Sequence, residues 1–186
     1  VPVEADNAAV TLRDATPADA PAIAALHVAV SRATYAHLAP PEASARLNYD
    51  HRLARWRETL TGGKRHVLVA EADNRIIATG SVGAPTVPEM GGRAEILHLY
   101  VAGDFAGRGL GRRLMQALAA RAQADDYPGI ALGVVEGNAG AVAFYERLAG
   151  RCIGRYTDPG PIWRSENLIY VWDDLAPLLS PALAHP

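Results

Sequence analysis

A chain of 186 residues that is 49% hydrophobic and 20% charged suits one domain with a substantial core and an ordinary soluble surface. Its net charge of −2 argues against the basic footprint of a nucleic-acid binder and against a polybasic membrane anchor, and no apolar run nears the roughly 20 residues that span a bilayer. A single cysteine, Cys152, excludes an internal disulfide and fits a reducing compartment. The acidic start from Val1 to Asp6 lacks the basic and apolar regions of a signal peptide, so a cytoplasmic location is expected.

Residues 10–13 read as a first strand. Thr16, Pro17 and Asp19 open a helix as N-cap, first helical residue and capping-box acid. Ile23, Leu26 and Val30 carry the apolar face of that helix until Pro40 and Pro41 break the segment. Leu53, Trp56 and Leu60 mark a second helix, which ends at Gly62 and Gly63. Strands at 67–70 and 75–80 flank Asp73 and Asn74, a hairpin signal. Residues 84–92, with two prolines and two glycines, read as a surface loop.

A strand at about 94–101 leads into a turn with glycines at 107, 109 and 111, followed by a helix with Leu110, Leu114 and Leu118 on one face. A strand at 130–135 and a helix opened by Asn138 follow, with Ala141, Phe144, Tyr145 and Leu148 on its apolar stripe. Strands at about 151–157 and 166–172 precede Pro177 and a short tail. With no repeat and no dividing linker, residues 1–186 form one domain with its core at about 10–173. The class is α/β, with a mixed, mostly antiparallel sheet of about 6–7 strands and about four helices.

The glycine turn carries the chemistry. Glycines at alternate positions free the backbone to turn its amides onto an anion, and the helix adds its own unsatisfied N–H groups and the positive end of its dipole. This makes a diphosphate cradle. A Walker loop would need Lys then Ser or Thr, where Arg112 and Arg113 stand. A dinucleotide fingerprint would place its third glycine at 112 and an acid about twenty residues on. Neither spacing fits.

The strand, turn and glycine series resembles the acetyl-CoA signature of the GCN5-related N-acetyltransferases. The segment from Asn138 through Ala141, Phe144, Tyr145 and Glu146 to Gly150 resembles that family's Asn-x-x-Ala-x-x-Phe-Tyr-Glu-x-x-Gly motif, with Ala149 as one extra residue. The resemblance implies an acetyl-CoA-dependent N-acetyltransferase that joins acetyl-CoA and a primary amine of a small molecule or peptide in a ternary complex. In that family dimers are common. The resemblance further implies that the backbone of Leu99, Tyr100 and Val101 pairs with the pantetheine arm. The turn, Gly107, Arg108, Gly109, Leu110, Gly111 and Arg112, would grip the diphosphate, and Asn138 would both cap its helix and touch the cofactor.

Tyr145 stands where the family's phenol protonates the departing thiolate, a transfer of modest driving force from a group of ordinary pKa about 10 to one of about 8.5. The base position some members use on the following strand is Gly133 here. Glu95 is the replacement expected: strand alternation puts it with Leu97 and Leu99, and desolvation in so apolar a strand would raise its pKa toward a useful base. His98, on the opposite face, is the second choice and Glu136 a third.

The residue before Gly107 is Ala106, where the family usually has Gln or Arg. Arg108 or Arg112 would compensate, and Arg108→Ala is expected to weaken acetyl-CoA binding several-fold. The acceptor side offers Tyr35, His37, Tyr49, His51, Trp56, Trp163 and Glu166. Cys152 reads as a small core residue, and no spacing suggests a metal. A longer acyl-CoA donor is one alternative. A non-catalytic acyl-CoA sensor is another, favoured by Ala106 and Gly133.

Overall fold

The computed structural model of the chain describes residues 9–180; the acidic start and the last residues of the tail, both read above, lie outside the described residues. The strands are β1 (Thr11–Asp14), β2 (Arg65–Ala72), β3 (Arg75–Gly83), β4 (Ala94–Val101), β5 (Ile130–Val135), β6 (Arg151–Asp158) and β7 (Ser165–Trp172). The helices are α1 (Ala20–Tyr35), α2 (Pro41–Arg46), α3 (Tyr49–Gly62), α4 (Leu110–Ala124), α5 (Ala139–Arg147) and α6 (Ala176–Leu179). One seven-stranded sheet runs in the order β1-β2-β3-β4-β5-β7-β6. Every neighbouring pair is antiparallel except β4 and β5, which are parallel. This is the expected mixed α/β sheet, and the short α2 and α6 add to the four expected helices.

Local chemistry accounts for the joints. Asp73 and Asn74 both take positive φ, 49° and 59°, as the two central residues of a tight hairpin turn must. The Asp19 carboxylate accepts from the Thr16 N–H at 2.7 Å, but the cap opens a 3-10 turn (Pro17–Asp19) that runs into α1 rather than α1 itself. Leu110, Leu114, Met115 and Leu118 of α4 are buried against the sheet. A Cβ on Gly80 would lie 2.8 Å from Leu118 Cδ1 and 3.2 Å from Leu99 Cδ1, so this glycine lets α4 close on the strands. On the opposite face, α1 packs on β3 and β4, with α3 against it.

Two expectations need correction. The 84–92 segment is not all surface: Met90 is fully buried and packs with Ala131, Ile169 and Val171 in a second small core, an anchor that proline and glycine content conceals. Cys152 is exposed rather than in the core, because β6 is the sheet's edge strand and its residues are mostly uncovered. No helix among the described residues is long and apolar enough to cross a membrane.

Candidate active site

The parallel pairing of β4 and β5 is confined to Ala94 with Ile130 and Glu95 with Ala131. Beyond those pairs the two strands are not hydrogen-bonded to each other, and a cleft of about 1450 Å³ lies there, walled also by α1, α3, the glycine turn and α5. The edge of β4 that faces β5 therefore leaves backbone groups of 96–101 unused by the sheet, while its other edge pairs with β3.

The turn at the end of β4 borders the cleft through Ala106, Gly107, Gly109, Leu110, Gly111 and Arg112. Gly107 and Gly109 adopt φ of 74° and 76°, with open space where a Cβ would stand. The first turn-spanning backbone bond is Arg113 N–H to the Gly109 carbonyl at 3.1 Å, so the six N–H groups of 107–112 have no acceptor among the described residues. Gly111 serves a different purpose: a Cβ there would lie 3.1 Å from Phe144 Cζ, which sets how closely α4 and α5 approach. Arg112 lines the cleft with its Nε sealed from solvent and unpartnered. Arg108 does not line it; its guanidinium sits 5.1 Å over the Phe105 ring.

A bulge in β4 rearranges the residues expected on one face. Ser81 pairs with Leu97 and Thr79 with Tyr100, so β4 holds one extra residue between these pairs, and His98 takes φ 58°. Glu95, Leu97 and Tyr100 consequently share the face of Thr79 and Ser81, while Leu99 turns to the α4 face against Leu118. The expected grouping of Glu95 with Leu99 is corrected by this shift. Glu95 is only 1% exposed and lies behind the cleft wall rather than in it. Its carboxylate accepts from the Thr86 N–H at 2.8 Å and from Thr86 Oγ1 at 3.1 Å, with Arg65 Nη1 4.0 Å away. Arg65 also donates to the Glu95 carbonyl. Thr86 and Arg65 do line the cleft, and through Thr86 the carboxylate is one side chain from it.

Four rings from three elements, α1, α3 and β4, meet at the cleft floor, a grouping that no sequence spacing announces. The Trp56 indole N–H donates to His27 Nδ1 at 3.2 Å, and His27 Nε2 lies 3.3 Å from the Tyr100 hydroxyl. His98 completes the group, its ring 4.9 Å from that of His27 and 5.3 Å from that of Trp56. Burial, then His98 and Arg52, holds His27 at a pKa of about 2. Burial, then Arg52, Arg65 and Arg55, holds His98 at about 3. Both imidazoles are neutral. Because an indole only donates, His27 carries its proton on Nε2 and gives it to Tyr100. The hint in the sequence was a lone histidine between Leu26 and Val28 on the buried face of α1.

Tyr145 reaches the cleft from α5, 8% exposed, beside Phe144, Tyr170 and Trp172. Its hydroxyl has no hydrogen-bond partner among the described residues, and burial, followed by the nearby Tyr100 phenol, pushes its pKa well above the usual tyrosine range. Asn138 caps α5 by accepting from the Ala141 N–H at 3.3 Å, and it also lines the cleft. Gly133 has a physical reason: a Cβ there would overlap the Tyr156 hydroxyl, so that phenol fills the place a longer side chain would need.

Of the expected site residues, Leu99, Tyr100, Val101, Gly107, Gly109, Leu110, Gly111, Arg112, Asn138 and Tyr145 line this one cleft, and the Arg108 and Glu95 side chains do not. Tyr35, His51, Trp56 and Trp163 line it too, with the Tyr35 and Trp163 rings 6.0 Å apart. His37, Tyr49 and Glu166 lie elsewhere; Glu166 accepts from Thr157 Oγ1 at 2.8 Å.

The family model described as acetyltransferase (GNAT) family matches residues 31–150. Similar solved structures include ribosomal-protein-alanine N-acetyltransferase from Brucella melitensis, at 25% identity and TM-score 0.66 over 87% of this chain and 98% of that one. PaiA N-acetyltransferase from Thermoplasma acidophilum, in complex with coenzyme A, is 15% identical with TM-score 0.65 over 88% and 98%. YncA from Salmonella typhimurium, with acetyl-CoA, is 22% identical with TM-score 0.64 over 96% and 98%. No curated protein sequence matches significantly.

Proposed function

Because this chain belongs to the GNAT acetyltransferase family, we propose that it transfers the acetyl group of acetyl-CoA to a primary amine of a small molecule or peptide, by direct attack in a ternary complex. The observation that carries the reading is the run of unpartnered amides 107–112 at the start of α4, opening onto the same cleft as the free Tyr145 hydroxyl. Converging N–H groups at a helix N-terminus suit a diphosphate, and Arg112 adds a charge-assisted donor. The unused edge of β4 at Leu99, Tyr100 and Val101 suits the amide groups of a pantetheine arm laid along it as an added strand.

Transfer requires that the amine nitrogen form a bond to the acetyl carbon while the carbon–sulfur bond breaks. The amine sheds one proton, and the departing thiolate takes one. Tyr145 is the donor: it is protonated at every working pH and faces the cleft unengaged. Glu95 is the acceptor, reached through the Thr86 hydroxyl, which donates to the carboxylate and offers its own lone pairs to an amine or an intervening water. The departing electron pair stays on sulfur, and the products are the N-acetylated amine and free CoA.

The test is thiol release from acetyl-CoA with a panel of amines, amino acids and short peptides, alongside a CoA binding titration. Acceptor-dependent release supports the reading. Tight binding with no release across the panel would favour an acyl-CoA sensor, and absence of binding would overturn the assignment of this cleft.

A further inference from the structure

We infer that the acceptor carries a carboxylate within a few bonds of its reacting amine, and that Arg52 receives it; the inference rests on the acetyl-transfer reading above. The cleft is strongly cationic although the chain's net charge is −2. Its charged lining among the described residues is Arg32, Arg52, Arg55, Arg65, Arg112 and Arg147 against Asp158. Arg112 follows the glycine turn and Arg147 ends α5, the elements of the diphosphate end. The other four arginines come from α1, α3 and β2, around the His27 and Trp56 group.

Three of those four are already engaged. Arg32 donates to the Leu47 carbonyl at 3.0 Å, Arg55 pairs with Glu58 at 2.7 Å, and Arg65 holds the Ala84 and Glu95 carbonyls in front of the Glu95 carboxylate. Arg52 differs. Its side chain makes no hydrogen bond or ion pair among the described residues, and its Nε is sealed from solvent without a partner. Burial pulls its pKa below the ordinary guanidinium range. A half-buried guanidinium with a sealed, unpaired Nε is costly to leave without a partner, and its planar fork matches a carboxylate in geometry and charge. The two histidines that feel its charge, His27 and His98, are neutral and give it no counter-charge.

This field disfavours a purely cationic amine such as a polyamine. An amine that brings its own negative group is accepted, with the carboxylate on Arg52 and the amine toward Thr86 and the thioester. Free amino acids and peptides that begin with an acidic residue share this chemistry.

The experiment compares matched acceptors in the thiol-release assay: an L-amino acid, its carboxamide, its decarboxylated amine, and a dipeptide with N-terminal glutamate. The free acid or the acidic dipeptide is expected to exceed the carboxamide and the amine at least tenfold in kcat/KM. Which of the two leads distinguishes a small-molecule acceptor from a peptide one. Arg52→Gln should erase that ratio through KM, and Arg52→Lys should restore part of it. Equal rates for acid and carboxamide, or a preference that survives Arg52→Gln, overturns the inference. So does an equal loss of CoA affinity in Arg52→Gln, which would assign Arg52 to the cosubstrate.

A second readout is independent of turnover. Calorimetry on the CoA-bound protein should detect an N-acetyl amino acid, bound at least tenfold more weakly by Arg52→Gln than by the parent, with Arg52→Lys between the two. Absence of that binding overturns the inference whether or not any amine is acetylated. Binding without turnover would instead count against the transfer reading alone.

Discussion

Trp56 donates its indole proton to His27 Nδ1 at 3.2 Å, and this one bond sets the tautomer of a buried histidine and the direction of the next bond, to Tyr100. It also ties α3 to α1 beneath the cleft. Folded-state pKa values of about 2 for His27 and about 3 for His98 lie below their ordinary 6.5. The unfolded chain therefore takes up protons below pH 6.5 that the folded chain refuses. Stability from this source is complete above pH 6.5 and is lost as pH falls toward 3, at up to about 1.4 kcal/mol per pH unit for each histidine. Urea unfolding between pH 7.5 and 4.5 should show that slope, and His27→Gln should roughly halve it, leaving the His98 share. Trp56→Phe, which strands the Nδ1 acceptor, should cost about 1–3 kcal/mol at pH 7. Imidazole NMR signals that both titrate near 6.5 would contradict this account.

Tyr145→Phe removes the proposed proton donor and little else, since its hydroxyl has no partner among the described residues and its ring contacts remain. A fall in kcat of about 10²-fold is expected, with the CoA dissociation constant within about threefold of the parent and an unchanged melting temperature. Parallel loss of binding and turnover would make Tyr145 a packing residue.

Glu95→Gln should lower kcat by about 10²-fold while leaving the KM for acetyl-CoA nearly unchanged. Thr86→Val should give a smaller fall in kcat, and Thr86→Ser should restore it, because the serine hydroxyl keeps the bond to Glu95. Parent-like kcat in Glu95→Gln would move the base to another group, with His98 next in line by position.

Gly109→Ala places an L side chain at φ 76°, which costs about 1–2 kcal/mol and tilts the amides on either side. Urea denaturation should register that loss, and CoA affinity should fall at least tenfold. Unchanged affinity would mean that these amides do not hold the cosubstrate.

Arg112 and Arg108 should separate cleanly. Arg112→Ala is expected to weaken CoA binding several-fold or more, as loss of a charge-assisted phosphate contact worth roughly 1.5–3 kcal/mol implies. Arg108→Ala should change it less than threefold, because that side chain lies over Phe105 outside the cleft. This reverses the emphasis that sequence position alone suggested, and two calorimetric titrations decide it.

What the amino-acid sequence determined by itself is the local frame. Glycine spacing, the Asn138 cap and the hairpin at Asp73 and Asn74 depend on a few consecutive residues whose backbone preferences are intrinsic, so the strand–turn–helix cradle and Tyr145 beside it were legible. Period-two alternation was legible too, but only until the strand broke it. The bulge at His98 turns Leu99 away from Glu95, and an inserted residue in β4 is defined by its pairing with β3, not by its own neighbours. The exposure of Cys152, the burial of Met90, the Tyr156 hydroxyl over Gly133, and the meeting of His27, Trp56, His98 and Tyr100 all join residues far apart in the chain. Tertiary packing alone decided these, because burial and partnership belong to surfaces brought together by the fold.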